Sequence, residues 1–193
     1  MIETYAKELI RVIADLGELA EDFIEQMADD FLDALKDDRK IFVCGNGGSF
    51  AQAQHFAAEF MVRPSSDAIY WSPKSVIALG SNPSFLTACS NDFNYSQIFE
   101  RELQILGKRG DFLLILSTSG NSHNLERVCR LAKVRGIKTF ALLGQVKDVN
   151  GGKLTNLSDV SLVVLSSNVA RIQEAHLFIL HCICQIIMRK LKK

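Results

Sequence analysis

The stretch that most constrains the fold is residues 40–63, which read KIFVCGNGGSFAQAQHFAAEFMVR. Its first five residues are mostly β-branched, aromatic or apolar, and this pattern predicts a short buried strand over 40–44. The glycines that follow can adopt backbone angles that side chains forbid, and they let the main chain approach a ligand closely. We expect Ser49 to cap a helix that runs from Phe50 to Phe60. Because the free amides at a helix start favour an anion, this strand, loop and helix predict a phosphate site.

His55 and Glu59 are the ionisable pair on that predicted helix. They are four residues apart, so their side chains lie on one helical face. For this spacing alone, an exposed polar pair on a helix surface is the preferred interpretation. The flanking residues Phe56, Phe60 and Met61 are apolar, however, and they favour a position in which the pair looks into a partly enclosed space.

Length and composition are typical of one domain with a substantial core. The chain has 193 residues, of which 48% are hydrophobic, and a single α/β domain over residues 1–193 is expected. The 22 basic and 22 acidic residues cancel and form no long block of one sign, which argues against a nucleic-acid or membrane-surface binder. The five cysteines lack zinc-finger spacing and predict buried thiols in a reducing compartment. Neither a signal-peptide pattern nor a membrane-spanning apolar run occurs, so the predicted location is the cytoplasm.

Strands alternate with helices along the rest of the chain. Apolar positions at helical spacing predict two helices between residues 3 and 37, which cover the sheet or pack against another subunit. Further strands are predicted at residues 75–79, 111–116, 138–143 and 160–165. Helices are predicted at 83–92, 123–134 and 170–192, with another helix after residue 92 that ends at about residue 106. Residues 64–73 are predicted to form an irregular loop. Continuously apolar strands separated by helices predict a parallel five-stranded sheet in a three-layer α/β sandwich. Ligands of such sheets bind beyond the carboxyl ends of the strands.

A second polar loop follows the third predicted strand. Ser117, Thr118, Ser119 and Ser122 offer hydroxyls beside the amides of a helix start, and these groups can hold a phosphate without a lysine. One serine-rich turn is usually only a cap and a loop. Two such loops at one sheet edge favour a sugar-phosphate pocket. A nucleotide site is not favoured, because the dinucleotide fingerprint needs a glycine where the chain has Phe50, and no complete P-loop motif occurs.

Five motifs occur in the order typical of one family. They read CGNGGS, QHFAAE, ND, STSGNS and RIQEAH, and along essentially its whole length the chain resembles the sugar isomerase (SIS) domain family, specifically the phosphoheptose isomerases. The resemblance implies a flavodoxin-like sheet in a homotetramer with active sites at subunit interfaces, with the helical region 1–38 in oligomer packing. It also implies conversion of sedoheptulose 7-phosphate into glycero-manno-heptose 7-phosphate, the first step towards the activated heptoses of bacterial surface polysaccharides.

The resemblance also implies roles for individual residues. Glu59 and His181 match the family's acid–base pair. The family's divalent-metal ligands, usually for zinc, match His55, Glu59, Gln173 and His181. The positions that match its sugar- and phosphate-binding residues are Asn46, Gly47, Gly48, Ser49, Arg63, Asn91, Asp92, Ser117, Thr118, Ser119, Ser122 and Gln173.

The chemistry of aldose–ketose isomerisation needs one base and one proton donor. Glu59 is predicted as the base and His181 as the acid, with zinc polarising and placing the substrate oxygens. The two roles of Glu59 are in tension, because a carboxylate that binds a metal is a poorer base. Gln173 and His181 are eight residues apart, about 12 Å along a helix, and border one cavity only across two turns. His176 lies on another face of that helix and is predicted to be a packed or interface histidine, and His123 is predicted to be exposed.

Two rival classes share the domain. Non-catalytic SIS proteins that bind a replication initiator lack the catalytic pair, whereas this chain has both Glu59 and His181. Sugar-phosphate-sensing regulators carry a DNA-binding helix-turn-helix segment, which does not accompany the domain here. The chain departs from the commonest family pattern at residues 80–82 and at Ala170, positions that bear on the exact sugar more than on the reaction.

Overall fold

The structure is a computed structural model, which describes residues 1–64, 72–146 and 149–191. Two helices precede the first strand, as predicted. The helices are α1 (Ile2–Ala14), α2 (Gly17–Lys36), α3 (Gly48–Val62), α4 (Pro83–Asp92), α5 (Ile98–Leu106), α6 (His123–Val134), α7 (Leu154–Leu157) and α8 (Val169–Leu191), with a 3-10 turn at Tyr95–Gln97. The strands are β1 (Ile41–Gly45), β2 (Val76–Ala78), β3 (Phe112–Ser117), β4 (Lys138–Val146), β5 (Val149–Asn150) and β6 (Val160–Val164).

The sheet confirms the predicted fold. Its parallel strands lie in the order β2-β1-β3-β4-β6, and β5 pairs with β4 in an antiparallel hairpin. Counting the parallel strands alone, this is the flavodoxin-like order, in which the chain reverses direction across the sheet between β1 and β3. Ligands of such sheets bind at this reversal. The loops after β1 and β3 flank it, so the fold places both predicted phosphate loops side by side.

Helices cover both faces of the sheet. On one face α1, α2, α3 and α8 bury a core that includes Phe31, Phe56 and Phe140, and the rings of Phe31 and Phe140 meet edge to face at 5.9 Å. On the other face α4 to α7 cover a second core around Phe42 and Phe99. Each fully buried large apolar side chain contributes about 1.5–3 kcal/mol to folding. The strands are continuously apolar because both of their faces lie in these cores.

Most predicted element boundaries differ from the observed ones by a residue or two. The exception is β4, which extends to Val146 because it continues into the hairpin with β5. Neither that hairpin nor the four-residue helix α7 was expected. Most of the predicted loop at residues 64–73 lies outside the described residues, as does residue 192 at the predicted end of the last helix. Within the described parts of the chain, no helix combines the length and apolar character needed to cross a membrane.

The prediction that Ser49 caps the helix after β1 is wrong. Helix α3 begins at Gly48, its N-cap is Gly47, and no side chain bonds to the first turn as a cap. Gly47 has a φ of +55°, so glycine itself turns the chain into the helix and Ser49 becomes a buried helical residue, 3% exposed.

All five cysteines carry free thiols, of which Cys182 is half-buried and the others are buried. The prediction of buried thiols is therefore confirmed for four of the five.

Candidate active site

The loop between β1 and α3 is shaped by close contacts that only glycine permits. A Cβ atom on Gly48 would lie 2.6 Å from Nε2 of Gln173, which extends from α8. The backbone of the loop is closed by Ser49 N–H, which donates to the carbonyl of Asn46 at 3.1 Å. Glycine at this point therefore lets a side chain from the last helix reach the loop.

The loop after β3 holds its shape through its own hydrogen bonds. Ser117, predicted as a loop residue, is the last residue of β3 and is 4% exposed. Its hydroxyl oxygen accepts the N–H of Gly120 at 3.0 Å, so this hydroxyl has a structural bond as well as a position at the site. Gly120 has a φ of +62°, and a Cβ there would come within 1.8 Å of the Gly151 carbonyl oxygen. The connection after β4 therefore packs directly on this loop.

A small cleft of about 60 Å³ lies between the two loops. We call it the serine cleft, and its polar lining consists of Asn46, Ser49, Ser117, Thr118, Ser119, Ser122 and Gln173. The structure thus brings together seven of the residues that the sequence assigned to sugar and phosphate. Helix-start amides and hydroxyls in such a cleft are suited to bind a phosphate group.

A second group of side chains lies between α3 and α8. We call His55, Glu59 and His181 the histidine cluster. Nε2 of His55 lies 3.2 Å from Oε1 of Glu59 and 3.0 Å from Nε2 of His181. One candidate ligand atom from each residue lies within 4.8 Å of the other two. The chain therefore brings the predicted acid and base to one place.

The histidine cluster is more open than the sequence indicated. Glu59 has a side chain that is 21% exposed, whereas that of His55 is 47% exposed. The expectation that both residues look into a partly enclosed space holds for Glu59 and is wrong for His55 in a single chain. The reason is that no element among the described residues packs over the outer side of His55.

Cys184 is a neighbour of Glu59 that the sequence did not single out. It lies one turn after His181 on α8 and is 1% exposed. Burial raises the pKa of the Cys184 thiol well above its usual range, and the charge of Glu59 and a hydrogen bond to it raise this pKa further. The thiol therefore keeps its proton and donates to the Glu59 carboxylate.

The spacing of the histidine cluster fits a divalent metal. A tetrahedral zinc ion with ligand bonds of about 2.0–2.1 Å holds its ligand atoms about 3.3 Å apart. The observed separations of 3.0 and 3.2 Å are close to this value. Gln173, the predicted fourth ligand, has its side-chain amide against Gly48 in the serine cleft. Its role as a metal ligand stays a prediction.

The remaining predicted site residues lie away from the serine cleft. Arg63 is exposed and follows the last residue of α3, four residues after Glu59, so it belongs to the end of the helix that carries the histidine cluster. Asn91 and Asp92 are exposed at the end of α4, where Asn91 donates to Asp92 at 2.9 Å. Neither of these two residues lines the serine cleft, and their contact with substrate stays a prediction.

The two histidines excluded from the site behave as predicted. His176 is fully buried, and Nε2 bonds to the Leu143 carbonyl at 3.1 Å. Burial lowers the pKa of His176 to about 4, so the ring is neutral at physiological pH. His123 is exposed at the start of α6.

Sequence reasoning missed two residues that support the glycine loop. Asn124 of α6 and Asn46 exchange side-chain hydrogen bonds of 3.0 and 2.8 Å, and the hydroxyl of Tyr95 donates to Oδ1 of Asn46 at 2.9 Å. Asn124 lies two residues after Ser122 in the loop after β3, where a helix-start polar residue is ordinary. Nothing in the local pattern indicates that its side chain turns towards the loop after β1.

Comparisons with known proteins agree with the fold. The family model described as SIS domain matches residues 4–144. A phosphoheptose isomerase from Aliarcobacter butzleri is 41% identical over 179 residues, which span 93% of this chain and 91% of the relative. A phosphoheptose isomerase structure from Neisseria gonorrhoeae superposes with a TM-score of 0.88 at 34% identity and covers 97% of each chain. One from Francisella tularensis gives 0.88 and 34%, over 96% of this chain and 95% of the other.

Proposed function

The chain belongs to the SIS domain family, and we propose that it is an aldose–ketose isomerase which converts D-sedoheptulose 7-phosphate into D-glycero-D-manno-heptose 7-phosphate. The observation that carries this proposal is the meeting of Glu59 with His55 and His181, of which the two histidines are 126 positions apart. The substrate is taken from the phosphoheptose isomerases that the chain resembles over most of its length. The product serves the synthesis of activated heptoses.

The reaction moves a carbonyl from C2 to C1 through an enediol. Glu59 as a carboxylate removes a proton from C1, while His181 donates a proton to the carbonyl oxygen on C2. The proton held by Glu59 then returns to C2, and the hydroxyl on C1 gives its proton back to His181 as the new carbonyl forms. Acid and base end in the states in which they began. The hydrogen bond from Cys184 steadies the Glu59 carboxylate during both transfers.

The two ends of the site suit the two ends of the substrate. The serine cleft takes the phosphate, and the histidine cluster acts on C1 and C2. Helix α8 contributes Gln173 to the first and His181 to the second, and these residues are about 12 Å apart along the helix. This separation is on the scale of an extended seven-carbon sugar phosphate, so the substrate lies along α8 with its phosphate at the glycine loop.

A divalent metal, with zinc as the expected ion, fits the histidine cluster. His55, Glu59 and His181 are the residues that would hold it. Gln173 is the fourth ligand that the resemblance implies, and its amide, which lies against Gly48 in the serine cleft, would have to turn towards the cluster to reach the ion. Such an ion supplies polarisation of substrate oxygens when bound. Elemental analysis of the purified protein tests this assignment, and we expect His55→Ala to lower the bound zinc relative to wild type while the exposed His123→Ala does not.

We also propose that the working form is a homotetramer whose active sites lie at subunit interfaces. The half-exposed histidine cluster supports this, because a neighbouring copy would exclude water from it. An apolar groove of about 530 Å³ runs between α1, α2 and α8, with Ile13, Ile24 and Phe178 among its lining residues. Phe178 is 45% exposed in the single chain. The five free thiols support a cytoplasmic location, and the proposed partners are the sugar phosphate and further copies of the chain.

The direct test is turnover of sedoheptulose 7-phosphate by the purified protein, followed as formation of the aldose. We expect wild type to turn over and Glu59→Gln and His181→Gln to lose activity with unchanged circular dichroism. Glu3→Gln, which alters an exposed carboxylate on α1, serves as the control. Absence of turnover in wild type would contradict the proposed reaction, and full activity in either site variant would contradict the role of that residue.

A further inference from the structure

We propose that Asn124 and Tyr95 are positioning residues that fix the carboxamide of Asn46, so that its remaining N–H donates to an oxygen of the bound sugar phosphate. The inference rests on the proposed function, because it assigns a task to Asn46 within the same site. It is carried by four hydrogen bonds that together leave one orientation for the Asn46 side chain.

The orientation is set from the backbone outwards. The N–H of Leu125 lies 3.0 Å from the side-chain oxygen of Asn124. A backbone N–H can only donate, so the atom that faces it must be Oδ1. The nitrogen of Asn124 then faces Asn46, where it donates to Oδ1 at 2.8 Å, and Nδ2 of Asn46 donates back to Oδ1 of Asn124 at 3.0 Å. Rotating either amide by half a turn would place like groups opposite each other.

Tyr95 reinforces the same orientation. Its hydroxyl donates to Oδ1 of Asn46 at 2.9 Å, so both lone pairs of that oxygen are occupied, one by Asn124 and one by Tyr95. Nδ2 carries two hydrogens, and among the described residues it has one partner, Asn124. The Asn46 side chain therefore offers a ligand no acceptor and one donor, the second N–H of Nδ2.

The free donor belongs to a half-buried side chain between two clefts. Asn46 lines the serine cleft together with Ser119 and Gln173, and it also borders a more apolar cleft next to Phe50 and Tyr95. Asn124 itself is 3% exposed, so it does not touch a ligand in either cleft. Its effect on binding passes through Asn46, and it is a positioning residue rather than a catalytic one.

The consequence for substrate recognition is specific. An amide locked as a donor binds an oxygen with a lone pair, such as a phosphate, carbonyl or hydroxyl oxygen, and disfavours a group that can only donate. A buried amide that is free to rotate would bind either kind of group. Pre-orientation therefore gives selectivity as well as affinity, since the ligand does not have to order the side chain.

A double-mutant cycle between Asn46 and Asn124 tests the proposal. Asn46→Ala, Asn124→Ala and the double variant are compared by kcat/KM for sedoheptulose 7-phosphate, with thermal melting as the measure of fold. Each single change is expected to lower kcat/KM about 10- to 100-fold, the loss expected when a polar group in a site loses its partner. The double variant is expected to equal Asn46→Ala alone, because Asn124 then has nothing left to position.

Tyr95→Phe is the gentler variant, because it removes one hydroxyl and leaves the ring. We expect it to lower kcat/KM about 5-fold in wild type, within the usual cost of one hydrogen bond, and to have no effect in the Asn46→Ala background. Asn156→Ala on α7 and Tyr5→Phe on α1, both exposed, are the matched controls. Losses that multiply in the double variant, or an equal effect of Tyr95→Phe in both backgrounds, would overturn the proposal.

A binding arm separates this inference from the proposed reaction. The same cycle is repeated in the Glu59→Gln background, with binding of sedoheptulose 7-phosphate measured by calorimetry. Coupled losses of affinity there, with no turnover in wild type, would reject the reaction and keep the positioning role. Binding with additive losses would reject the positioning role alone, and absence of binding would reject both.

Discussion

The serine cleft is formed by two loops at one edge of the sheet, whereas the histidine cluster is formed by side chains part-way along two helices. In the cleft, Ser49 and Ser117 are 3% and 4% exposed. The loop after β1 is closed by a backbone hydrogen bond, and the loop after β3 is closed by the bond from Gly120 N–H to the Ser117 hydroxyl. In the cluster, the side chain of His55 is 47% exposed, and the contacts that hold the three residues run between side chains. Both loops of the cleft are thus held by contacts within one chain, while the cluster has an exposed side.

Under the proposed function, this difference separates phosphate binding from chemistry. We propose that loops fixed by glycine backbone angles hold the phosphate in one place. Side chains that meet across α3 and α8 are placed by helix packing, so a small displacement of either helix changes their separation. We therefore expect changes in the cluster to act mainly on kcat and changes in the cleft to act mainly on KM.

The largest expected effect is in the cluster. His181→Gln removes the proton donor and keeps an uncharged polar side chain, and kcat for sedoheptulose 7-phosphate should fall about 1,000-fold, within the usual contribution of general acid–base catalysis. KM should change less than about 3-fold, because the phosphate site is intact. Steady-state kinetics measure both constants, with the exposed His123→Gln as control. A large rise in KM without loss of kcat would contradict the assignment of chemistry to the histidine cluster and of phosphate binding to the serine cleft.

The next largest effect concerns the proposed assembly of copies of the chain. Phe178→Glu puts a charge into the apolar groove between α1, α2 and α8 and should separate the proposed tetramer, because burying an unpaired charge is costly. We expect kcat/KM to fall about 10- to 100-fold, while the affinity of the serine cleft for inorganic phosphate stays within about 2-fold of wild type. Light scattering measures the mass of the assembly, steady-state kinetics measure kcat/KM, and calorimetry measures the affinity for phosphate.

Val134→Glu is the matched control for that change. Val134 is 86% exposed at the end of α6, on the opposite face of the sheet, so the same charge should leave mass and activity unchanged. A Phe178→Glu protein that is monomeric and fully active would show that the cluster needs no neighbouring copy.

A smaller effect is expected in the cleft. Thr118 is half-buried and lines the cleft, and Thr118→Val removes its hydroxyl while keeping its shape. KM should rise about 10-fold with little change in kcat, as when one hydrogen bond to a charged group is lost. Thr87→Val on α4, whose hydroxyl bonds to its own helix backbone, is the control. A fall in kcat that matches the rise in KM would place Thr118 in the chemistry instead.

The same contrast explains how much the sequence could predict. The two loops were predictable because glycine and serine beside a strand end carry local information about the backbone. The helix cap was assigned to Ser49 rather than Gly47, because a side-chain cap and a glycine turn look alike in sequence. The parallel sheet followed from apolar strands that alternate with helices, whereas its flavodoxin-like strand order followed from the family resemblance.

The cluster was predictable only through family resemblance. Spacing alone favoured an exposed pair for His55 and Glu59, and periodicity does not say that His181 packs beside them. Cys184, Asn124 and Tyr95 gave no signal, because each lies in an ordinary local pattern and acquires its partner through tertiary contact. The part of the site that escaped sequence reasoning is the part that long-range side-chain packing builds.

The smallest effect on activity is expected at His176, which lies on α8 between Gln173 of the serine cleft and His181 of the histidine cluster. Its Nε2–H donates to the Leu143 carbonyl, and burial lowers its pKa to about 4, against about 6.5 in the unfolded chain. Between these values the unfolded state takes up a proton that the folded state does not. The stability present above pH 6.5 is therefore lost as pH falls towards 4, by about 3 kcal/mol.

Urea unfolding at pH 7.5 and pH 4.5 measures that loss. His176→Gln can still donate to Leu143 but cannot titrate, so its free energy of unfolding should fall less between the two pH values than that of wild type. Its kcat/KM at pH 7.5 should stay within about 3-fold of wild type, since the ring touches neither the cleft nor the cluster. The exposed His123→Gln should keep the wild-type pH dependence. If His176→Gln loses as much stability on acidification as wild type, the His176 imidazole does not cause the fall in the free energy of unfolding.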